Sequence, residues 1–394
     1  MDNKTILFSH HVPFLPLIKS LRSEFDIQTI TPQFSQELTN LEIPAKALRD
    51  FAAGQQDGAF TWAAHCIRDL PDIVESMNGK YPGLGFFQQN GFPFYYPRLA
   101  DLGVAVLALD QAKPDLIVVH NDVEPVHRAV ALWARERGVP CLHVPHAIYQ
   151  LVNRTPLGTD VHDIVTASYL AVAGQFQQEW YEKCGADPTH IIQTGLPQFD
   201  QWANREQHAP AEARKMLGLN PSGPPVVTYI GTWGQHTNIR GVSDEWQVNY
   251  LAFLEAVRDI DVQVLLKVHP RGGQDNWNWY GKQAQEAGVV VLATKDYLDI
   301  IIDASDVLLA YGGSNVVLEA AHNPRVRLLT THGYVDDTAV GKVPITDPEG
   351  IRAGIIKAIG SKAPDTGILR GKYLGRCDGH NTERVEALCR ELVR

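Results

Sequence analysis

Three short stretches, one of cations, an imidazole and glycines and two of small residues, suit an anionic ligand. The first, Lys267-Val-His269-Pro-Arg271-Gly-Gly, follows the apolar run Val262 to Leu266. Lys267 and Arg271 can supply charge-assisted hydrogen bonds to an anionic group, and His269 can donate to a phosphate oxygen or meet negative charge developing on a departing diphosphate. A histidine standing alone there would more often be a satisfied structural residue; the two flanking cations favour the anion site. The second stretch, Tyr311-Gly312-Gly313-Ser314-Asn315, follows Val307 to Ala310 and opens a helix. Its glycines let backbone approach a ligand, Ser314 can cap the helix, and the free N–H groups with the helix dipole suit a phosphate. Glu319, about one turn on, either accepts hydrogen bonds from ribose hydroxyls or is a solvated carboxylate favoured by the dipole. The third, Gly231-Thr232-Trp-Gly, is a small-residue turn after Val226 to Ile230 whose N–H groups can approach a phosphate, or an ordinary tight turn.

The amino half has three more strand ends dense in ionisable residues: Ser9-His10-His11, His120-Asn-Asp122-Val-Glu124 and His143-Val-Pro-His146-Ala. A histidine or carboxylate at any of them can take a proton from an acceptor hydroxyl, and His146, Asp122 and His11 are the candidates for that general base. There is no His-Glu-x-x-His, Walker A sequence, Gly-x-Ser-x-Gly elbow or His/Cys cluster at zinc spacing, so no tightly held metal is expected. Asp259-Ile-Asp261 and Asp336-Asp337 read as solvated surface. Pro82 to Arg98, with six aromatic residues among Gly and Pro, is a structured loop, either a hydrophobic plug or an acceptor-binding lip.

These stretches need strands to hold them. Short β-branched runs separated by helix-length segments recur through the chain, the pattern of parallel βα units. In the first half they are Thr5 to Phe8, Asp26 to Ile30, Asp115 to Val119, Pro140 to Val144, Ile164 to Thr166 and Leu170 to Ala173. In the second they are Pro225 to Ile230, Val262 to Lys267, Val289 to Leu292, Val307 to Ala310 and Val326 to Leu329. Between the sets, Asn204 to Pro225 is polar, carries a short helix at Ala211 to Leu217, and ends in Asn-Pro-Ser-Gly-Pro-Pro, a natural boundary. At 394 residues the chain exceeds what one core supports. The expected plan is α/β with two Rossmann-like doubly wound domains facing across a cleft. Residues 1–203 would form an acceptor domain and 204–376 a nucleotide-donor domain, with a last helix in 377–394 packing back on the first.

Composition narrows the class. With 44% hydrophobic and 20% charged residues the chain is an ordinary globular protein. A net charge of −10 argues against a broad nucleic-acid footprint, although it leaves room for a local basic patch. The five cysteines, 66, 141, 184, 377 and 389, are scattered and include no Cys-x-x-Cys pair, which fits a reducing compartment. The amino terminus has too short an apolar stretch for a signal peptide, and no run approaches the ~20 residues of a spanning helix. The expected address is cytoplasmic, with any membrane contact peripheral.

Lys267-Val-His-Pro270, then Gly313-Ser314-Asn315-x-x-x-Glu319-Ala320, with Thr194-Gly-Leu-Pro-Gln-Phe-Asp200 before the boundary, resembles the GT-B nucleotide-sugar transferase superfamily. The nearest flavour is that of CDP-glycerol glycerophosphotransferases and capsule-polysaccharide transferases, with non-hydrolysing UDP-GlcNAc 2-epimerases as distant cousins. The polar helix and Leu-Gly-Leu turn before Pro225, and Asp378-Gly-His-Asn-Thr-Glu-Arg384-Val, also match. The resemblance covers Thr194 onward in sequence and the amino half in architecture. It implies that Lys267, His269 and Arg271 bind the donor diphosphate, that Gly313, Ser314 and Asn315 cradle it, and that Glu319 addresses the ribose. His146 stands where the phosphotransferases carry a His-Gly pair, with Ala147 replacing the glycine. The activity implied is glycosyl transfer from a nucleotide-diphosphate sugar to a hydroxyl of a glycan or glycolipid, without a metal or other cofactor. The alternatives are polyol-phosphate transfer from a CDP-alcohol, 2-epimerisation, a phage-type DNA-base glycosyltransferase, and a GT-B binding module without turnover.

Overall fold

The computed structural model describes residues 4–9, 14–31, 45–47, 105, 108–120, 125–148, 167–183, 186–231, 245–269, 273–294, 297–312, 314–331 and 339–394. They fall into two compact units. One takes the described residues up to Ile148, those that continue to Ala203, and Leu374–Arg394; the other takes those within Asn204–Tyr373. Predicted strand Ile164 to Thr166, the aromatic segment Pro82 to Arg98, and Asp336-Asp337 lie outside the described residues.

In the first unit seven parallel strands, β1 (Thr5–Phe8), β2 (Asp26–Thr31), β3 (Ala45–Ala47), β4 (Leu116–Val119), β5 (Cys141–His143), β6 (Tyr169–Val172) and β7 (Ile191–Gln193), run in the order β3-β2-β1-β4-β5-β6-β7. In the second, β8 (Val226–Ile230), β9 (Gln263–Lys267), β10 (Val291–Thr294), β11 (Val307–Ala310), β12 (Arg327–Thr330) and β13 (Val340–Lys342) run β10-β9-β8-β11-β12-β13, again all parallel. Both sheets therefore reverse direction beside their first strand, the doubly wound arrangement of a Rossmann-like fold. Every residue of β4, β8 and β11 is buried, which is why these strands read as near-continuous apolar runs.

The three strands not foreseen in the sequence, β3, β7 and β13, each have three residues and each lies at a sheet edge. An edge strand needs no two-sided apolar run, and β13 exposes two of its three residues. The strand expected at Val289 starts instead at Val291. The preceding helix, Gly273–Glu286, ends on Gly288 with φ +67°, and the Val289 N–H turns back to the Ala284 carbonyl at 3.0 Å. That closing motif uses Val289 and leaves Val290 90% exposed.

The segment that opens the second unit is anchored by Asp303. Its carboxylate receives both terminal nitrogens of Arg205 at 2.7 Å, the His208 N–H at 2.9 Å and the Asn323 amide at 2.8 Å. The helix Pro210–Met216 follows, and Leu217 and Leu219 after it pack against Val226, Leu265 and Ile301.

The helix Asn381–Leu392 belongs to the first unit. Val385, Leu388 and Cys389 share a core with Ile6 and Phe8 of β1 and with Leu17, Ile18 and Leu21 of the helix Leu15–Leu21. Asp200 caps it, accepting from the backbone N–H groups of Asn381 at 2.9 Å and Thr382 at 2.7 Å and from the Thr382 hydroxyl at 2.7 Å. Arg384 grips Asp378 at 2.9 and 3.0 Å and reaches the Thr194 carbonyl at 2.7 Å. Gly195, with φ +73°, lies flat against Asn381, where any Cβ would overlap that side chain. The segments 194–200 and 378–384, remote in sequence, thus form one joint. Among the described residues no helix is long and apolar enough to cross a membrane.

Candidate functional site

In the second unit β8 lies between β9 and β11, so their carboxyl ends emerge side by side where the strand order reverses. Ile230 pairs with Lys267 on one side and Ala310 on the other. The residues beyond that row are Gly231, Val268-His269 and Tyr311-Gly312. This is the place where doubly wound sheets bind ligands.

Each turn has a physical reason for its residues. The Gly231 N–H extends the ladder to the Lys267 carbonyl at 2.9 Å, and a Cβ there would stand 3.1 Å from the Tyr280 hydroxyl, so only glycine sits easily. Gly312 has φ +73°, a left-handed conformation that a side chain would strain. Its N–H donates to Thr331 Oγ1 at 2.9 Å, and its carbonyl accepts from Thr330 Oγ1 at 2.7 Å and from the Ser314 N–H at 3.0 Å. Ser314 Oγ caps the short helix Asn315–Ala320 by accepting from the Val316 N–H at 3.3 Å. The Tyr311 hydroxyl donates to Glu245 Oε2 at 2.7 Å and ties the β11 end to the start of the helix Glu245–Arg258; burial, with Glu245 alongside, holds that phenol well above its usual range.

The charged residues divide in two ways. His269 is half-buried just past the end of β9, whereas Lys267 is only 5% exposed and its ammonium donates to the Val268 carbonyl at 3.0 Å. Glu319 is half-buried, so it is not the fully solvated first-turn carboxylate of one of its two sequence readings. Its Oε2 is sealed from solvent and has no hydrogen-bond partner among the described residues. Burial pushes the carboxyl up to about 7, with Lys267 drawing it back. Gly231, Lys267, His269, Gly312, Ser314, Asn315 and Glu319 thus belong to one edge of this sheet, while Thr232, Arg271 and Gly313 lie outside the described residues.

In the first unit the carboxyl ends of β1, β4 and β5 are likewise neighbours. His120, at the end of β4, and His146, beyond β5, have ring centroids 4.9 Å apart; His127 stands edge-on to His120 at 4.4 Å, and Phe14 lies 6.3 Å from it. His120 and His127 are each 6% exposed, and His146 is half-buried. His143 is turned away, with its Nδ1 3.3 Å from the Tyr181 hydroxyl. Asp122 and His11 lie outside the described residues. His127 lies beyond the strand ends, on the helix Pro125–Arg137. It shares a buried stripe with Val130, Ala131 and Ala134, and that i, i+3, i+4, i+7 spacing was the available signal. Among the described residues no group of three or more His, Cys, Asp or Glu is arranged to hold a metal ion.

Residues 143–310 match the family described as CDP-Glycerol:Poly(glycerophosphate) glycerophosphotransferase. A UDP-N-acetylglucosamine--N-acetylmuramyl-(pentapeptide) pyrophosphoryl-undecaprenol N-acetylglucosamine transferase from a Nocardioides species is 29% identical over 216 residues, 54% of this chain. The match spans about half (51%) of that relative's length. Among solved structures, a glycosyltransferase from Rickettsia africae is similar at a TM-score of 0.56 and 11% identity, over 100% of this chain and 98% of the other. A UDP-GlcNAc 2-epimerase from Neisseria meningitidis, solved with UDP-GlcNAc bound, has a TM-score of 0.56 and 14% identity over 98% of this chain and 99% of its own.

Proposed function

We propose, from the premise that the chain has the GT-B fold with its two Rossmann-like domains, that it is a glycosyltransferase using a nucleotide-activated sugar and a hydroxyl acceptor. The observation that carries this is the edge at β8, β9 and β11. There two glycine turns, a capped helix start, His269 and Glu319 with its sealed Oε2 belong to the strand-order reversal. Turns of this kind present backbone N–H groups to phosphate, and a carboxylate oxygen with no partner among the described residues is suited to accept from sugar hydroxyls.

In the proposed reaction an acceptor hydroxyl attacks the anomeric carbon, a new glycosidic C–O bond forms, and the C–O bond to the nucleoside diphosphate breaks. The hydroxyl proton passes to a general base, for which the imidazole of His146 is the candidate. Charge gathering on the leaving diphosphate is met by His269 and by the N–H groups around Ser314 and Asn315, so no metal is required in this scheme. A glycan or glycolipid acceptor fits the Nocardioides relative, whose name specifies a pyrophosphoryl-undecaprenol substrate. The chain would then work in the cytoplasm, at most peripherally on a membrane.

A second reading has its own support. The family match over residues 143–310 favours transfer of a polyol phosphate from a CDP-alcohol through the same anion site. A thermal-shift and turnover panel of UDP-sugars, CMP-sugars and CDP-glycerol, each with and without acceptor, separates them, because a ligand selective for the folded state raises its melting temperature. A shift with a nucleotide sugar and acceptor-dependent release of nucleotide is expected. Turnover of CDP-glycerol alone among the donors would transfer the assignment to the second reading, and consumption of UDP-GlcNAc without acceptor would make the chain an epimerase.

A further inference from the structure

Gly312 stands just past the end of β11, where the chain turns towards Ser314, and it has φ +73°. Glycine permits this left-handed conformation without imposing it, because a residue with no Cβ takes positive and negative φ about equally readily. Something else must select the conformation. The two torsions at a residue are set by the planar peptide groups on either side of it, and both of these are held here by hydroxyls of a single dipeptide. Thr331 Oγ1 accepts from the Gly312 N–H at 2.9 Å, and Thr330 Oγ1 donates to the Gly312 carbonyl at 2.7 Å. The same carbonyl accepts from the Ser314 N–H at 3.0 Å, which passes the constraint on to the residue that caps the helix Asn315–Ala320.

The dipeptide is itself fixed. Thr330 is the last residue of β12, fully buried and paired with Ala310 of β11, and its carbonyl accepts from the Val343 N–H at 3.0 Å. The Thr331 N–H reaches the Ala310 carbonyl at 3.4 Å. Both hydroxyls therefore start from a sheet, which holds a contact to a tighter geometry than a loop does. With its N–H engaged by Thr331, Gly312 contributes to the edge the direction of the chain and not a donor for phosphate.

We propose that Thr330 and Thr331 are positioning residues for the donor site: their hydroxyls hold Gly312 in the left-handed conformation that sets the turn from β11 to Ser314. The proposal rests on the nucleotide reading of this edge. It gives β12, which has no other part in that reading, the task of shaping the site.

The probes are UDP and CDP, titrated calorimetrically into the full chain. Thr331→Val keeps the shape of the side chain and removes the acceptor, and losing one hydrogen bond of this kind should weaken nucleotide binding by about five-fold or more. Thr330→Val should do the same, whereas Thr331→Ser, which keeps the hydroxyl, should bind as wild type does. Gly312→Ala makes the left-handed conformation costly directly and should also lose about five-fold or more. Adding Thr331→Val to it should cost little further affinity, since both changes act on one torsional choice. Wild-type affinity in Thr331→Val overturns the proposal, and so does a Thr331→Ser variant as weak as Thr331→Val. Additive losses in the double variant would mean that Thr331 acts on the nucleotide by another route, and overturn it as well. Should the valine variants not fold, wild-type affinity in Gly312→Ala is the refuting result.

Hydrogen exchange without ligand gives an independent reading: in Thr331→Val the amides from Tyr311 to Val317 should exchange faster while those of β8 stay unchanged. A wild-type protein that binds neither nucleotide defeats the nucleotide reading and with it the role at a donor site. Unchanged exchange in Thr331→Val defeats the clamp itself, whatever the protein binds.

Discussion

Replacing Glu319 by glutamine should stabilise the protein in mildly alkaline solution and leave it nearly unchanged in mild acid. Burial raises the Glu319 carboxyl from 4.5 to about 7. Between those values the folded protein holds a proton that the unfolded chain has released, so stability declines as pH rises through the window and levels off above it. One pKa unit corresponds to about 1.4 kcal/mol. An ionised Glu319 therefore works against the fold by about 3 kcal/mol at pH 8 and by about 1 kcal/mol at pH 5. Glutamine keeps the shape and loses the charge, but its amide meets the same unpartnered surroundings, which costs about 1 kcal/mol at either pH. The net expectation is a gain of about 2 kcal/mol at pH 8 and close to none at pH 5. Urea unfolding followed by tryptophan fluorescence, with both proteins at both pH values and without nucleotide, gives the comparison directly. A variant less stable than wild type at pH 8, or one whose change in stability is the same at the two pH values, would refute the reasoning. The same substitution should weaken nucleotide binding, so stability and function pull this position in opposite directions.

His269→Ala should lower kcat by about 100- to 1000-fold, as loss of a donor to developing charge does, and weaken binding of nucleoside diphosphate; unchanged steady-state kinetics would remove His269 from the anion site. Asp303→Ala leaves the Arg205 guanidinium, only 14% exposed, without its partner. A loss of about 3–5 kcal/mol in urea unfolding is expected, and one below about 1 kcal/mol would mean that the pair is not desolvated. Asp200→Ala strips the cap from the helix Asn381–Leu392. It should cost about 1–2 kcal/mol and speed hydrogen exchange selectively in that helix; uniform exchange across the chain would argue against a local cap.

The buried centre of each sheet was legible and its margins were not. Val226 to Ile230 and Val307 to Ala310 are closed off on both faces, and two-sided burial writes a near-continuous apolar run into the sequence. Ile191–Gln193 and Val340–Lys342, at the edges, carry no such run. Strand ends likewise pointed to Gly231, His269 and Gly312, because topology alone decides where a parallel strand delivers its next residue. The inward turn of Lys267 could not be read that way. Its direction depends on which sheet face it occupies and what covers that face, and an ammonium reads identically whether it meets water or a carbonyl. The Asp378-to-Arg384 and Thr194-to-Asp200 motifs stood out only as a resemblance, and the joint they form supplies the physical reason: a glycine pressed on Asn381, a carboxylate capping a helix and an arginine reaching a distant carbonyl.

The helix Asn381–Leu392 shares its core with β1, and this has a consequence for a nascent chain. Domains generally fold as they leave the ribosome, amino-terminal first. Here the core around Ile6 and Phe8 lacks Val385, Leu388 and Cys389 until those residues emerge, a wait on the order of tens of seconds at ordinary elongation rates. The unit built on Asn204–Tyr373 has its whole sheet in continuous sequence and no such dependence. The half of the molecule translated second can thus finish folding first, leaving the amino-terminal half with apolar surface open to chaperones in the interval.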